Sequence, residues 1–134
     1  MSDYISKVKA LNLPEGHYMI TGSAILEILG IRKAKDIDIL VSPELFVELE
    51  SKRGWVRNIK YPTTIDNLEH TAGAKQSLDF MKENYSLRDV LAKATIIDKI
   101  PFMGLEMLLN AKKQLGREKD LNDIKLIEYY FANK

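Results

Sequence analysis

The chain has 134 residues, 46% of them apolar and 29% charged, enough apolar surface to offset the entropy of ordering one core and to exclude a largely disordered polypeptide. With 20 Lys and Arg against 19 Asp and Glu, its net charge of +1 excludes a broad electrostatic attraction to nucleic acid or anionic membrane, so any such binding has to be local. The lack of cysteine excludes disulfides, zinc–thiolate sites and thiol nucleophiles.

One domain over residues 1–134 is the expectation from this length. The opening Met-Ser-Asp-Tyr-Ile has no basic segment leading into an apolar stretch, and no apolar run reaches spanning length, so a soluble cytoplasmic protein without membrane contact is expected.

In chain order, Ser2 as a cap and Ile5, Val8 and Leu11 at helical spacing predict a short opening helix that stops at Pro14-Glu15-Gly16. His17 to Thr21 reads as a strand and Gly22-Ser23 as a tight turn; Ala24, Ile25, Ile28 and Leu29 then give a helical stripe closed by Gly30. Ile37 to Val41, interrupted only by Asp38, has the character of a buried strand. Ser42-Pro43-Glu44 starts the next helix, which presents Leu45, Phe46 and Leu49. Residues 56–61 and 67–71 are predicted as two further strands, and 77–81 as a short one alternating around Asp79.

Ser86 with Asp89 three residues on predicts a helix through Lys93, and 95–102 reads as a strand that Pro101 places at an edge or at its end. Leu105, Leu108, Leu109 and Leu115 form one helical face ending at Gly116. Asp120 caps a last helix carrying Ile124, Ile127, Tyr130 and Phe131 inward. Strands alternating with helices predict an α/β (α+β) domain, a mixed sheet with helices packed against it.

Asp36 and Asp38 stand two apart on a strand, which sends both carboxylates to one face beside Ile37, Ile39, Leu40 and Val41. Two desolvated like charges favour protonation of one of them unless a cation is shared, and an oxygen-only donor set suits Mg2+ completed by substrate phosphates. The plainer alternative is a solvated pair facing Lys33 or Lys35. Asp79, between Leu78 and Phe80 in another short strand, is a third acid able to lie beside the first pair in one sheet, and three carboxylates suffice for two cations about 3.5–4 Å apart. Gly22-Ser23 either cradles an anion or serves only as turn and cap. Lys112 falls on the inward face with Leu105, Leu108 and Leu109, where it either snorkels to solvent or reaches a buried anion. Arg117 and Lys119 follow Gly116 as further candidate phosphate contacts, and Asp120 and Asp123 read as capping acids. Neither a P-loop nor a dinucleotide-binding glycine fingerprint is present.

Strand, Gly22-Ser23, helix, Asp36-Ile37-Asp38 and then the isolated Asp79 together resemble the nucleotidyltransferase superfamily related to DNA polymerase beta. The segment from Leu105 through Gly116-Arg117-Glu118-Lys119-Asp120 to Asp123-Ile124 is similar to that of its small bacterial members. The resemblance implies an NTP donor (ATP or another), two Mg2+ ions on Asp36, Asp38 and Asp79, a triphosphate on Gly22 and Ser23, and transfer of a nucleoside monophosphate to an acceptor with release of pyrophosphate. Two departures stand out. Ala24-Ile25-Leu26 replaces the Arg-containing continuation of minimal members, and no appended acceptor-gripping domain follows. A catalytically silent nucleotide-binding or interaction module, acting with a partner protein or as a homodimer, is the second reading.

Overall fold

The computed structural model describes residues 3–80 and 83–133, apart from the side chains of Asp79, Phe80 and Glu83. Ser2 and Met81, which the sequence assigns to a cap and to a strand end, lie outside the described residues. Helix α1 (Asp3–Ala10) leads into strand β1 (Tyr18–Thr21), the five-residue helix α2 (Ala24–Ile28) and strand β2 (Ile37–Val41). Helix α3 (Pro43–Glu50) forms where expected: Ser42 Oγ accepts from Leu45 N at 3.1 Å, Pro43 opens the first turn, and Leu45, Phe46 and Leu49 are buried.

Strands β3 (Trp55–Arg57), β4 (Thr64–Asn67) and β5 (Ala72–Lys75) follow, then the hairpin β6 (Ser77–Phe80) and β7 (Glu83–Ser86). The one-turn helix α4 (Leu87–Val90) passes into a 3-10 turn at Leu91–Lys93 before β8 (Thr95–Ile97) and β9 (Ile100–Phe102). Helices α5 (Leu105–Leu115) and α6 (Glu118–Ala132) complete the described chain.

The fold is a mixed α+β arrangement. Its main sheet runs β3-β4-β5-β2-β1-β9-β8, parallel at β5/β2 and β1/β9 and antiparallel elsewhere, and β6-β7 forms a small separate sheet. In β2 the side chains alternate, with Ile37, Ile39 and Val41 toward one face and Asp38 and Leu40 toward the other. All four apolar residues are buried and Asp38 alone is open. The outer face of this strand thus passes within two residues from packed core to solvent-filled cleft.

Several expectations need correction. The strands expected at 56–61 and 67–71 are three shorter ones, β3, β4 and β5, because small residues such as Ala72-Gly73-Ala74 carry little β pattern yet pair in register with β2. The strand expected at 95–102 is a hairpin, turned by Asp98 and Lys99 with φ of 52° and 66°. Pro101 lies beside the end of β9, as expected, but between β1 and β8 rather than at an edge. Helix α6 begins at Glu118 with Arg117 as its cap residue, and Phe131, expected inward, is 38% exposed. No helix among the described residues is long and apolar enough to cross a membrane.

Candidate functional site

Glycine 22 ends β1 with φ +64°, a conformation that favours glycine. A β-carbon added there would also lie 2.6 Å from Asp38 Oδ2, so the turn and the acid on β2 are fitted to each other. Antiparallel pairing sets Thr21 opposite Asp38, and Thr21 Oγ1 donates to the Asp38 carbonyl oxygen at 3.2 Å. Asp36 sits one residue before β2 rather than within it, where the Tyr4 hydroxyl donates to its backbone oxygen at 2.9 Å.

Both carboxylates open into a cleft of about 1040 Å3. Asp38 is reached by water from the cleft but enclosed by protein around most of its circumference. That enclosure raises its carboxyl above the usual range; Lys75 opposes the rise and Asp36 adds to it. The Tyr4 phenol is held far above its usual value, first by burial and then by Asp38, Glu27 and Asp36.

Gly22, Ser23, Asp36, Asp38, Lys112, Arg117 and Lys119 all line this one cleft. The structure therefore brings together residues from the start and the end of the chain. The strand of Asp79, expected in one sheet with the acidic pair, instead pairs with β7 in the small separate sheet; its Leu78 reaches the same cleft, whereas the side chain of Asp79 lies outside the described residues. Seven cationic side chains (Arg32, Lys33, Lys35, Lys75, Lys112, Arg117, Lys119) and three acidic ones (Asp36, Asp38, Asp123) line the walls, a local excess of positive charge that the balanced composition conceals.

Lys112 is buried, and the anions it reaches are the protein's own. Its Nζ lies 3.3 Å from Asp120 Oδ1 and 2.8 Å from Asp123 Oδ2. Asp120 is 0% exposed and accepts from Arg117 Nε at 2.6 Å and Arg117 N at 3.2 Å, closing the first turn of α6. Hydrogen bonding from the Arg117 side chain outweighs burial and lowers the Asp120 carboxyl to about 2. Asp123 is held below the carboxylate range first by Arg32 and then by Lys112, against the opposing effect of burial. Arg117 and Lys112 are therefore already neutralised, while Lys33, Lys35, Lys75 and Lys119 form no ion pair among the described residues.

Two participants escaped the sequence reading. Asp123 follows Asp120 by three and precedes Ile127 by four, so it belongs to the inward stripe of α6 rather than to a solvated cap. That spacing was the available signal. Arg32 left none: its bidentate bond to Asp123, at 2.6 and 2.7 Å, spans 91 residues of sequence.

At α2, five residues make only a weak dipole, and Ser23 forms no side-chain cap. Attraction for an anion at this turn has to come from the Ser23 hydroxyl and the surrounding cations. Among the described residues no three acids or histidines converge on a common metal position, so a cation on Asp36 and Asp38 would take further ligands from elsewhere. A second cleft of about 930 Å3 lies along the other side of α5, with Asn84, Asn110 and Gln114 in its wall and Lys93 against Asp89 and Glu106. It has neither the charge excess nor the carboxylate pair of the first. The chain matches no family model, no curated protein and no solved structure.

Proposed function

We propose that the chain is a Mg2+-dependent nucleotidyltransferase that moves a nucleoside monophosphate from an NTP to an acceptor group and releases pyrophosphate. The observation that supports this reading most is the meeting, in one cleft, of Asp36 and Asp38 with the Gly22-Ser23 turn and a surplus of cations. Acids alone would suit a bare cation and cations alone a bare anion. A metal–polyphosphate complex calls for both.

The donor set fits a hard divalent ion. Asp36 and Asp38 offer oxygen only, and a cation beside them would offset the desolvation and the repulsion from Asp36 that raise the Asp38 carboxyl. Mg2+ held there would supply positive charge against the phosphate oxygens and the oxygen that attacks phosphorus. The protein's own groups do the rest. Ser23 donates to a phosphate oxygen, Lys33, Lys35 and Lys119 screen the triphosphate, and Gly22 lets the backbone and Asp38 approach closely. The acceptor oxygen attacks the α-phosphorus, its bond to the α–β bridging oxygen breaks, and the acceptor proton leaves to a carboxylate, a role assigned to Asp79.

The test is incubation of the full chain with each α-labelled NTP and Mg2+ in cell extract, followed by identification of the labelled acceptor. Label is expected to transfer with wild-type protein and to fall at least a hundredfold with Asp38→Asn. Transfer at the wild-type rate by that variant would overturn the assignment. Saturable NTP binding without pyrophosphate release would convert the reading to a silent nucleotide-binding module.

A further inference from the structure

Ser23 sits at the head of α2 but does not behave as a helix cap: none of its side-chain hydrogen bonds goes to a helical N–H. Its Oγ instead accepts from Arg32 Nη2 at 2.9 Å. A serine hydroxyl has one hydrogen to donate and two positions at which to accept. With a guanidinium filling one accepting position, the O–H has to turn away from that cation, and no acceptor for it exists among the described residues. Ser23 lines the charged cleft, so its unused donor is left for whatever enters.

The guanidinium that imposes this orientation is itself fixed. Arg32 Nε and Nη2 reach Asp123 Oδ1 and Oδ2 at 2.6 and 2.7 Å, and Nη1 donates to the Lys33 carbonyl at 2.7 Å. Such a fork holds the plane of the group as well as its position. Behind it, Asp123 is 3% exposed and bonded to Lys112 of α5. The loop that leads to Asp36, the turn at Ser23 and α6 therefore meet on the Arg32 side chain, and α5 joins them through Lys112 on Asp123.

We infer that Arg32 is a positioning residue: clamped by Asp123, it polarises and aims the Ser23 hydroxyl as a hydrogen-bond donor to the phosphate chain of a nucleotide held on Asp36 and Asp38. This rests on the nucleotide reading of the cleft and names a device within it. The arrangement explains why a half-buried pair joins α6 to the α2–β2 loop at this point rather than elsewhere along the helix. It also gives the turn a cationic neighbour although Ala24, Ile25 and Leu26 supply none.

The experiment is calorimetric titration of the full chain with ATP, GTP, CTP and UTP, each with Mg2+, for wild type, Ser23→Ala, Ser23→Thr, Arg32→Gln and the double variant Ser23→Ala/Arg32→Gln. A donor to a charged oxygen is worth roughly tenfold in affinity, so Ser23→Ala is expected to bind about tenfold more weakly and Ser23→Thr to recover the loss. Arg32→Gln is expected to weaken binding at least as much, and adding Ser23→Ala to it should change nothing further, because the oriented hydroxyl is already lost. A purely structural Arg32 would show independent, additive losses. Additive losses, or full affinity in Ser23→Ala, would overturn the inference; the serine variants leave the Arg32–Asp123 pair intact, so full affinity in Ser23→Ala overturns it even if Arg32→Gln does not fold. Wild-type binding with unaffected variants sinks this inference alone, whereas failure of wild type to bind any of the four triphosphates sinks the nucleotide reading with it.

Discussion

Asp38 and Asp120 lie on opposite sides of the same electrostatic ledger. A carboxyl raised in the folded state holds its proton more tightly there than in the unfolded chain. Its stabilising contribution is complete below the unfolded value and is lost as pH rises through the folded one. Asp38 therefore opposes folding at neutral pH in the absence of ligand, and Asp38→Asn is expected to raise the thermal midpoint at pH 7, with the gain disappearing toward pH 3.5. Scanning calorimetry at the two pH values checks this, and equal midpoints at pH 7 would contradict it. For Asp120, lowered to about 2, the sign reverses: its contribution is present above the ordinary carboxylate range and fades as pH falls through about 2. Asp120→Ala leaves Lys112 and Arg117 short of their shared partner and should cost roughly 3–5 kcal/mol in urea unfolding at pH 7. At this scale Gly22, Ser23, Asp36 and Asp38 were legible because the strand–turn–helix and acid-x-acid patterns are local. Arg32 was not, since a contact across 91 residues leaves no mark in its own segment, whereas Asp123 showed only its place in the inward spacing of α6.

Among the secondary-structure elements, β1, α2, β2, α3 and α5 announce themselves by caps, glycines and dense β-branched or leucine patterns, and all five form close to the expected places. The β8–β9 hairpin was hidden for a chemical reason. A two-residue turn with both φ positive normally advertises itself with Asn-Gly or Asp-Gly, and here Asp98-Lys99 occupies it, so 95–102 reads as one strand. Lys99 bears the steric cost of φ 66° without an evident return. Lys99→Gly is expected to stabilise the protein by about 0.5–1 kcal/mol in chemical denaturation; a loss of stability would mean that the lysine contributes something beyond the turn. Strands β4 and β5 were displaced in the sequence reading for a different cause. Ala72, Gly73 and Ala74 are chosen by the closeness of neighbouring strands, with a β-carbon at Gly73 falling 3.1 Å from Asp66 Oδ1, and such choices become visible only when the pairing is known.

Over the whole molecule, near-neutrality masks segregation. The cleft gathers cations from the α2–β2 loop, β5, α5 and α6, and the remaining surface balances them. Attraction for a polyanion is then short-ranged and carried by side chains such as Lys33, Lys35 and Lys119 that have no ion pair among the described residues. Raising salt from about 50 mM to about 500 mM shrinks the screening length to a few ångströms and should weaken Mg2+·NTP binding by about tenfold, measured by titration at constant Mg2+. Affinity independent of salt would point to contacts other than these lysines.

The bond between Arg32 and Asp123 also dictates when the cleft comes into being. The bond joins a loop encoded before residue 40 to a helix encoded after residue 110, so a polypeptide still being synthesised can complete much of the sheet while the clamp on Ser23 does not yet exist. The complete arrangement around Ser23 thereby waits until α6 docks. A chain released before Asp123 would carry Asp36 and Asp38 but lack the residue that clamps Arg32 against the Ser23 hydroxyl.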